Sequence, residues 1–163
     1  MIVVSNASPV INLVVVDQLN LLQKLYGKVV IPQAVYDEIV IEGAGQAGAE
    51  EVEKSDWIEV RQVANRPMVK SLAADLDLGE AEAVVLAVEL NAELLLIDER
   101  KGRAVANRVG VNNIGLLGVL VKAKHDGLIP AVGPVMDSLM TKAGFWVSKE
   151  LYDHILQVTG ESE

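Results

Sequence analysis

The sequence predicts an α/β fold built on a doubly wound parallel sheet, and three observations support it. Short apolar runs at Ile2–Val4, within Lys28–Ile31 and within Glu93–Asp98 have no polar interruption, the pattern of strands buried on both faces of a sheet. These runs alternate with longer segments of helical period, in the order βααβα…αβαβααα, as crossover helices between parallel strands require. The first run and Glu93–Asp98 also end in polar residues, and ligands of open parallel sheets gather at the C-terminal ends of strands.

Each element follows from local signals. After the first strand, Ser8 reads as an N-cap and Pro9 as the first helical residue, because a capping oxygen satisfies an orphan N–H and proline presets φ. That helix is expected to reach about Val16, and a second to run from about Gln18 to Tyr26 and end at Gly27. The strand Lys28–Ile31 stops at Pro32, which opens a third helix with Val35, Ile39 and Val40 on its apolar face and Glu38 on a neighbouring one; Gly43 closes it. Gly43–Gly48 reads as a flexible loop. Its glycines have the spacing of a dinucleotide fingerprint but follow a helix instead of a strand, so it is not a phosphate cradle.

Trp57–Val60 reads as an edge strand and 61–76 as an irregular connection positioned to cover the site. Asp77-Leu-Gly-Glu80 leads into a buried, alanine- and valine-rich helix to Leu90, with Asn91 as its C-cap. A basic helix over 99–108 and a short strand over 111–114 come next. Helices over 115–125, 134–142 and 148–158 complete the chain, and Phe145 and Trp146 between the last two read as core or interface residues; with aromatics at only 4%, an aromatic stacking track for single-stranded nucleic acid has little support.

Composition removes several function classes. At 163 residues, 51% of them hydrophobic, the chain has the size and core of a single domain, 1–163. No run approaches the roughly 18 to 20 uncharged apolar residues of a membrane span, and the N-terminus lacks a basic signal-peptide region, so a cytoplasmic protein with no membrane association is expected. There are no cysteines, and the two histidines, His125 and His154, lie far apart; a metal would have to sit on oxygen ligands. Ser5 and Ser8 have no histidine nearby in sequence, which leaves a nucleophilic triad unsupported. The formal net charge of -9 argues against broad adhesion to nucleic acid. Within that acidic chain, Arg100, Lys101, Arg103, Arg108, Lys122 and Lys124 make one stretch locally basic, either as solvated helix faces or as a substrate track.

In the predicted sheet Asn6 and Asp98 lie at strand ends, and the helices beginning near Pro32 and Gly79 bring Glu38 and Glu80 towards the same crevice. An all-oxygen set of this kind suits hard Mg²⁺ or Mn²⁺, and metal-assisted phosphodiester hydrolysis is the chemistry that follows. Each residue also has a purely structural role open to it. Asp77 and Glu80 spell a capping box, Asp98 could cap the helix after it, Glu38 could be a solvated carboxylate, and Asn6 could form an Asx-turn to Ser8. Glu82, Glu99 and Asp75 are further acidic candidates.

Together these segments resemble the PIN-domain superfamily, in the branch of small prokaryotic PIN-like proteins related to VapC-type toxins. VVSNASPVINL resembles that branch's first motif, IPQAVYDEI its second, LGEAEAVVLA its third, LLLIDERKGRAVA its fourth, and AGFWVSKELYDHIL its closing helix. The resemblance implies a three-layer α/β/α fold with a central parallel sheet. It also implies a Mg²⁺- or Mn²⁺-dependent endoribonuclease, commonly a homodimer held inactive by an antitoxin protein. Carried onto this chain, it makes Asn6, Glu38, Glu80 and Asp98 the metal positions, with Glu38, Glu80 and Asp98 as the catalytic carboxylates. Ser8 falls where the family has a hydroxyl beside the first acid, Glu99 becomes a possible outer ligand, and Arg103 a phosphate contact.

The chain departs from the family pattern at Asn6, where aspartate is usual. An amide oxygen still ligates Mg²⁺ but adds no charge, so ion affinity and the acidification of bound water should both weaken. Two functions therefore stand side by side: a metal-dependent ribonuclease acting as toxin or RNA-processing enzyme, and a non-catalytic binding module weakened at Asn6. A receiver- or phosphatase-type phosphotransfer domain is disfavoured, because no aspartate directly follows the first strand.

Overall fold

A computed structural model describes residues 1–162 of the chain. Among them, β1 (Val3–Ser5), β2 (Val29–Pro32), β3 (Ile58–Arg61), β4 (Leu94–Leu96) and β5 (Asn113–Ile114) form one sheet in the order β3-β2-β1-β4-β5. Every pairing is parallel, with Val4 opposite Val30 and Leu95, and Leu96 opposite Ile114. The helices are α1 (Ala7–Val15), α2 (Asn20–Tyr26), α3 (Gln33–Tyr36), α4 (Ala49–Lys54), α5 (Arg66–Leu72), α6 (Leu78–Glu89), α7 (Arg100–Arg108), α8 (Leu116–His125), α9 (Gly133–Lys142) and α10 (Lys149–Val158). None is long and apolar enough to cross a membrane.

The two-residue period of the strands divides the core between the sheet faces. Val3, Val29, Ile31 and Leu96 point into one core with Leu13 of α1, Leu22 of α2, Leu120 of α8 and Met136 of α9. Val4, Val30, Leu95 and Ile97 point into the other with Val69 of α5, Val84 of α6 and Val105 of α7. The result is the expected three-layer α/β/α, PIN-like arrangement. Because the chain steps outward from β1 through β2 to β3 and then returns to β4 and β5, strand order reverses between β1 and β4, the point where such sheets bind ligands. Asn6 follows β1, Asp98 follows β4, and the Asn6 N–H donates to Leu96 O at 2.9 Å, joining the two strand ends.

Several boundaries depart from expectation. β1 is displaced by one residue, leaving Ile2 exposed and burying Ser5, whose Oγ donates to Asn6 O at 2.9 Å. α1 is capped at Asn6 instead of Ser8, and Pro9 sits deeper in the first turn, where a missing N–H still leaves no intrahelical bond unmade. After β2 the chain makes only the short α3 and then a π-helical segment, Asp37–Glu42, that carries Glu38. The stretch 61–76 is not irregular. Asn65 Oδ1 accepts from Met68 N at 3.1 Å, Pro67 occupies the first turn, and α5 packs on α6. The helix after β4 is capped at Glu99, not Asp98, and α6 ends at Leu90, with Asn91 just beyond it at φ +50°. That left-handed position favours asparagine.

Candidate active site

Asn6 is 5% exposed at the end of β1 and its side chain makes no capping bond, so the Asx-turn to Ser8 does not form. Ser8 Oγ instead accepts from Asn12 Nδ2 at 3.2 Å, one helical turn away on α1. Glu38 projects from the π-helical segment with an exposed outer side, yet its Oε1 turns inward to the first turn of α6. A methyl group at Gly79 would stand 3.1 Å from that oxygen and 3.6 Å from Asn6 Oδ1. The bare glycine is what lets α6 approach both groups.

Glu80 is 7% exposed and does form the capping box: its Oε1 accepts from Asp77 N at 3.1 Å, and Asp77 Oδ1 accepts from Glu80 N at 2.8 Å. Its Oε2 takes no hydrogen bond from the described residues and faces α7, where a methyl group at Gly102 would lie 3.7 Å away. Asp98 caps neither its own helix nor any other in the usual sense. Its Oδ1 accepts from Leu116 N at 2.7 Å, in the first turn of α8, while its Oδ2 is buried with no partner. An unpartnered buried oxygen on a carboxylate is expensive and rare in a native fold unless something outside the chain satisfies it.

The electrostatics point the same way. Burial pushes the Asp98 carboxyl above its ordinary range; the Leu116 bond and Arg103 draw it partly back, and Glu99 pushes it up again. Burial likewise raises Glu38, with Asp77 and Glu42 adding repulsion. Glu80 is raised by burial first, eased by its bond from the Asp77 backbone, and raised further by the Asp77 and Glu99 charges. Burial thus makes each of the three carboxyls hold its proton more tightly than an exposed one, the condition an added cation relieves.

Two adjoining cavities open on this crevice. One of about 240 Å³ is lined by Asn6, Ser8, Glu38, Asp77 and Glu99. The other, about 660 Å³, has Asp98, Glu99, Arg103 and Trp146 among its walls. Ser8, Asn12 and Glu99 line both and join them. Glu80 lines neither and lies behind them, and nothing in 61–76 reaches either cavity, so that connection does not cover the crevice. A separate cavity of about 470 Å³, walled by Asp17, Asn20, Glu51 and Lys54, holds none of the predicted site residues.

Among the described residues, no three histidine, cysteine, aspartate or glutamate side chains close into a ready metal cage. The donors present still fit Mg²⁺ or Mn²⁺, which need only one or two carboxylates and otherwise keep water; the orphaned Asp98 Oδ2 supplies one such donor. Of the further acidic candidates, Asp75 is exposed and Glu82 is tied to Arg66 and the Ala34 N–H. Three contacts escaped the sequence reading, although Asp77 itself was expected to close a capping box with Glu80. Asp77 faces Glu38 as well as capping α6, Asn12 positions Ser8, and Asn113 Oδ1 accepts from Arg103 Nε at 3.1 Å. Only Asn12, spaced i,i+4 from Ser8, carried a legible signal.

Comparison with known proteins bears on this geometry. The family described as PIN domain matches residues 2–161. No curated protein matches the chain.

Proposed function

The chain belongs to the PIN-domain family, a nuclease fold, and on that premise we propose that it is a Mg²⁺- or Mn²⁺-dependent endoribonuclease. The observation that supports this most directly is the buried, unpartnered Asp98 Oδ2 at the strand-order reversal. Asp98 through Oδ2, Glu38 through Oε1 and Asn6 through Oδ1 would hold the ion, with Glu80 Oε2 behind them. A divalent cation held there would supply the charge needed to polarise a phosphoryl group and acidify water. Glu38 would take the proton of the attacking water on the carboxylate oxygen that does not hold the ion. Arg103 on the wall of the larger cavity binds a phosphate oxygen, Ser8 Oγ orients the backbone beside it, and Glu99 serves as an outer ligand. Incubation of RNA with wild type and Asp98→Asn in Mn²⁺ and in Mg²⁺ tests this; cleavage undiminished in the variant would end the reading.

In the cell the same activity makes the chain the toxin of a toxin–antitoxin pair or a related RNA-processing nuclease. An antitoxin protein and a second copy of the chain are its proposed partners. Exposed Ile41 and Leu78, close in sequence to Glu38 and Gly79, offer an apolar rim for a partner to cover.

A second reading rests on Asn6. With an amide at that position the domain would bind RNA or protein without cutting. Calorimetric titration of Mn²⁺ into wild type and Asn6→Asp separates the two: tight wild-type binding that the substitution leaves unchanged removes the case for a weakened site.

A further inference from the structure

The chain holds two tryptophans among few aromatics. Trp57 packs against the core, whereas Trp146 is 82% exposed. Its exposure is not the slackness of a loose loop. Phe145 packs on the core and its N–H donates to Leu139 O at 3.0 Å, Val147 is buried, and Ser148 Oγ caps α10 by accepting from Leu151 N at 3.1 Å. The residues on either side are anchored inward, so the indole between them is held outward. Of the two residues expected in the core or at an interface, Phe145 packs on the core and Trp146 does not, and its outward placement reopens the stacking role that the low aromatic content disfavoured.

The indole stands on the wall of the 660 Å³ cavity that also holds Asp98, Glu99 and Arg103. A strand lying there would meet a guanidinium suited to phosphate and a flat ring suited to a base, with the carboxylate crevice opening through Ser8 and Asn12. We propose that Trp146 is a stacking platform for an unpaired nucleobase flanking the scissile phosphate, and so a substrate-positioning residue of this chain. This rests on the ribonuclease reading of the crevice. A base inside a duplex has no free face for such a ring, whereas every unpaired base has one, so the contact selects strandedness and tolerates sequence. The net charge of -9 disfavours adhesion through the phosphate backbone alone. A chain this acidic gains little from neutralising phosphates, and stacking must carry a large share of the affinity.

Anisotropy of a fluorescein-labelled single-stranded RNA, measured in EDTA so that nothing is cut, tests the platform. Trp146→Ala is expected to weaken binding by about tenfold, Trp146→Phe by no more than about threefold, and a duplex of the same sequence to bind weakly to all three proteins. The melting temperature should move little, because the side chain is 82% exposed. In Mn²⁺, Trp146→Ala should raise KM and leave kcat near wild type. RNA bound through Trp146 but never cut would keep the platform and remove the nuclease. Cutting by Trp146→Ala at unchanged KM would do the reverse. Unchanged RNA affinity in Trp146→Ala overturns the platform and leaves the indole to a protein partner, and wild type that neither binds RNA in EDTA nor cuts it in Mn²⁺ removes both.

Discussion

Glu80 and Glu82 lie two residues apart on α6, 7% and 4% exposed, yet their surroundings are opposite. Glu82 is satisfied from within: its Oε1 accepts from Ala34 N at 3.0 Å and its Oε2 from Arg66 at 2.7 Å. Glu80 spends one oxygen on the Asp77 N–H, leaves the other without a donor, and is pushed up by burial and by the acids around it. Burial does not distinguish a structural carboxylate from a chemical one; the presence of an internal counter-charge does. By that criterion Glu82 holds α6 to α3 and α5, while Glu80 is left without an internal counter-charge, as the proposed cation site requires.

The largest expected effect separates the two glutamates by activity. Glu80→Gln keeps an oxygen for the Asp77 N–H, since glutamine also closes a capping box, and removes only the charge of the second oxygen. Cleavage of RNA in Mn²⁺ should fall by about 10²- to 10⁴-fold with no loss of melting temperature. Glu82→Ala should cleave normally per folded molecule. Equal losses in both variants would erase the distinction.

Stability should show the mirror image. Glu82→Ala strands the Ala34 N–H and releases the half-exposed Arg66 to solvent, at a cost of about 2 kcal/mol in urea unfolding. Glu80→Gln should be neutral or mildly stabilising in EDTA, because it removes an ion the fold does not neutralise. A destabilised Glu80→Gln would mean that the capping box needs the full charge.

This contrast marks how far the sequence was legible. Chain order and apolar runs sufficed for the parallel sheet, and the polar ends of β1 and β4 located Asn6 and Asp98, because strand direction and sheet twist leave few topologies open. The π-helical segment carrying Glu38 was invisible, since an extra residue per turn leaves Val35, Ile39 and Val40 as buried as an α-helix would. α5 was missed although Asn65 and Pro67 spell its start. The long partners escaped entirely. That Asp98 serves α8 instead of α7, and that Glu82 meets Arg66, depends on how helices stack across the sheet, which no local signal encodes.

Acidity should sharpen the same division by sign. Asp98 holds its proton more firmly folded than unfolded, so its contribution favours the fold at low pH and is lost as pH rises through its raised value. In EDTA, Asp98→Asn should therefore be the more stable protein at neutral pH, with the gap closing on acidification; Mg²⁺ should stabilise wild type and not the variant. Glu161 is the counter-case. Burial alone would raise it, but the Val132 and Gly133 amides and the Lys124 ammonium hold it at about 2 against an ordinary 4.5. Its contribution is present above 4.5 and lost as pH falls towards 2. Glu161→Gln should lose about 2 kcal/mol at neutral pH after solvent screening, and progressively less in acid.

The smallest effect concerns Asn6, because there the substitution adds a charge to a crevice already short of counter-charge. Asn6→Asp would put a fourth carboxylate beside Glu38 Oε1 across Gly79. Without metal it should lower the melting temperature slightly and raise the Glu38 carboxyl further. With Mn²⁺ the same repulsion is relieved, so affinity by calorimetry should tighten by roughly tenfold, as ligand charge sets divalent affinity. The two changes have one cause and must appear together. Tighter binding with no loss of metal-free stability would mean that the introduced carboxylate points away from Glu38, and that the amide in the native chain is not what limits the site.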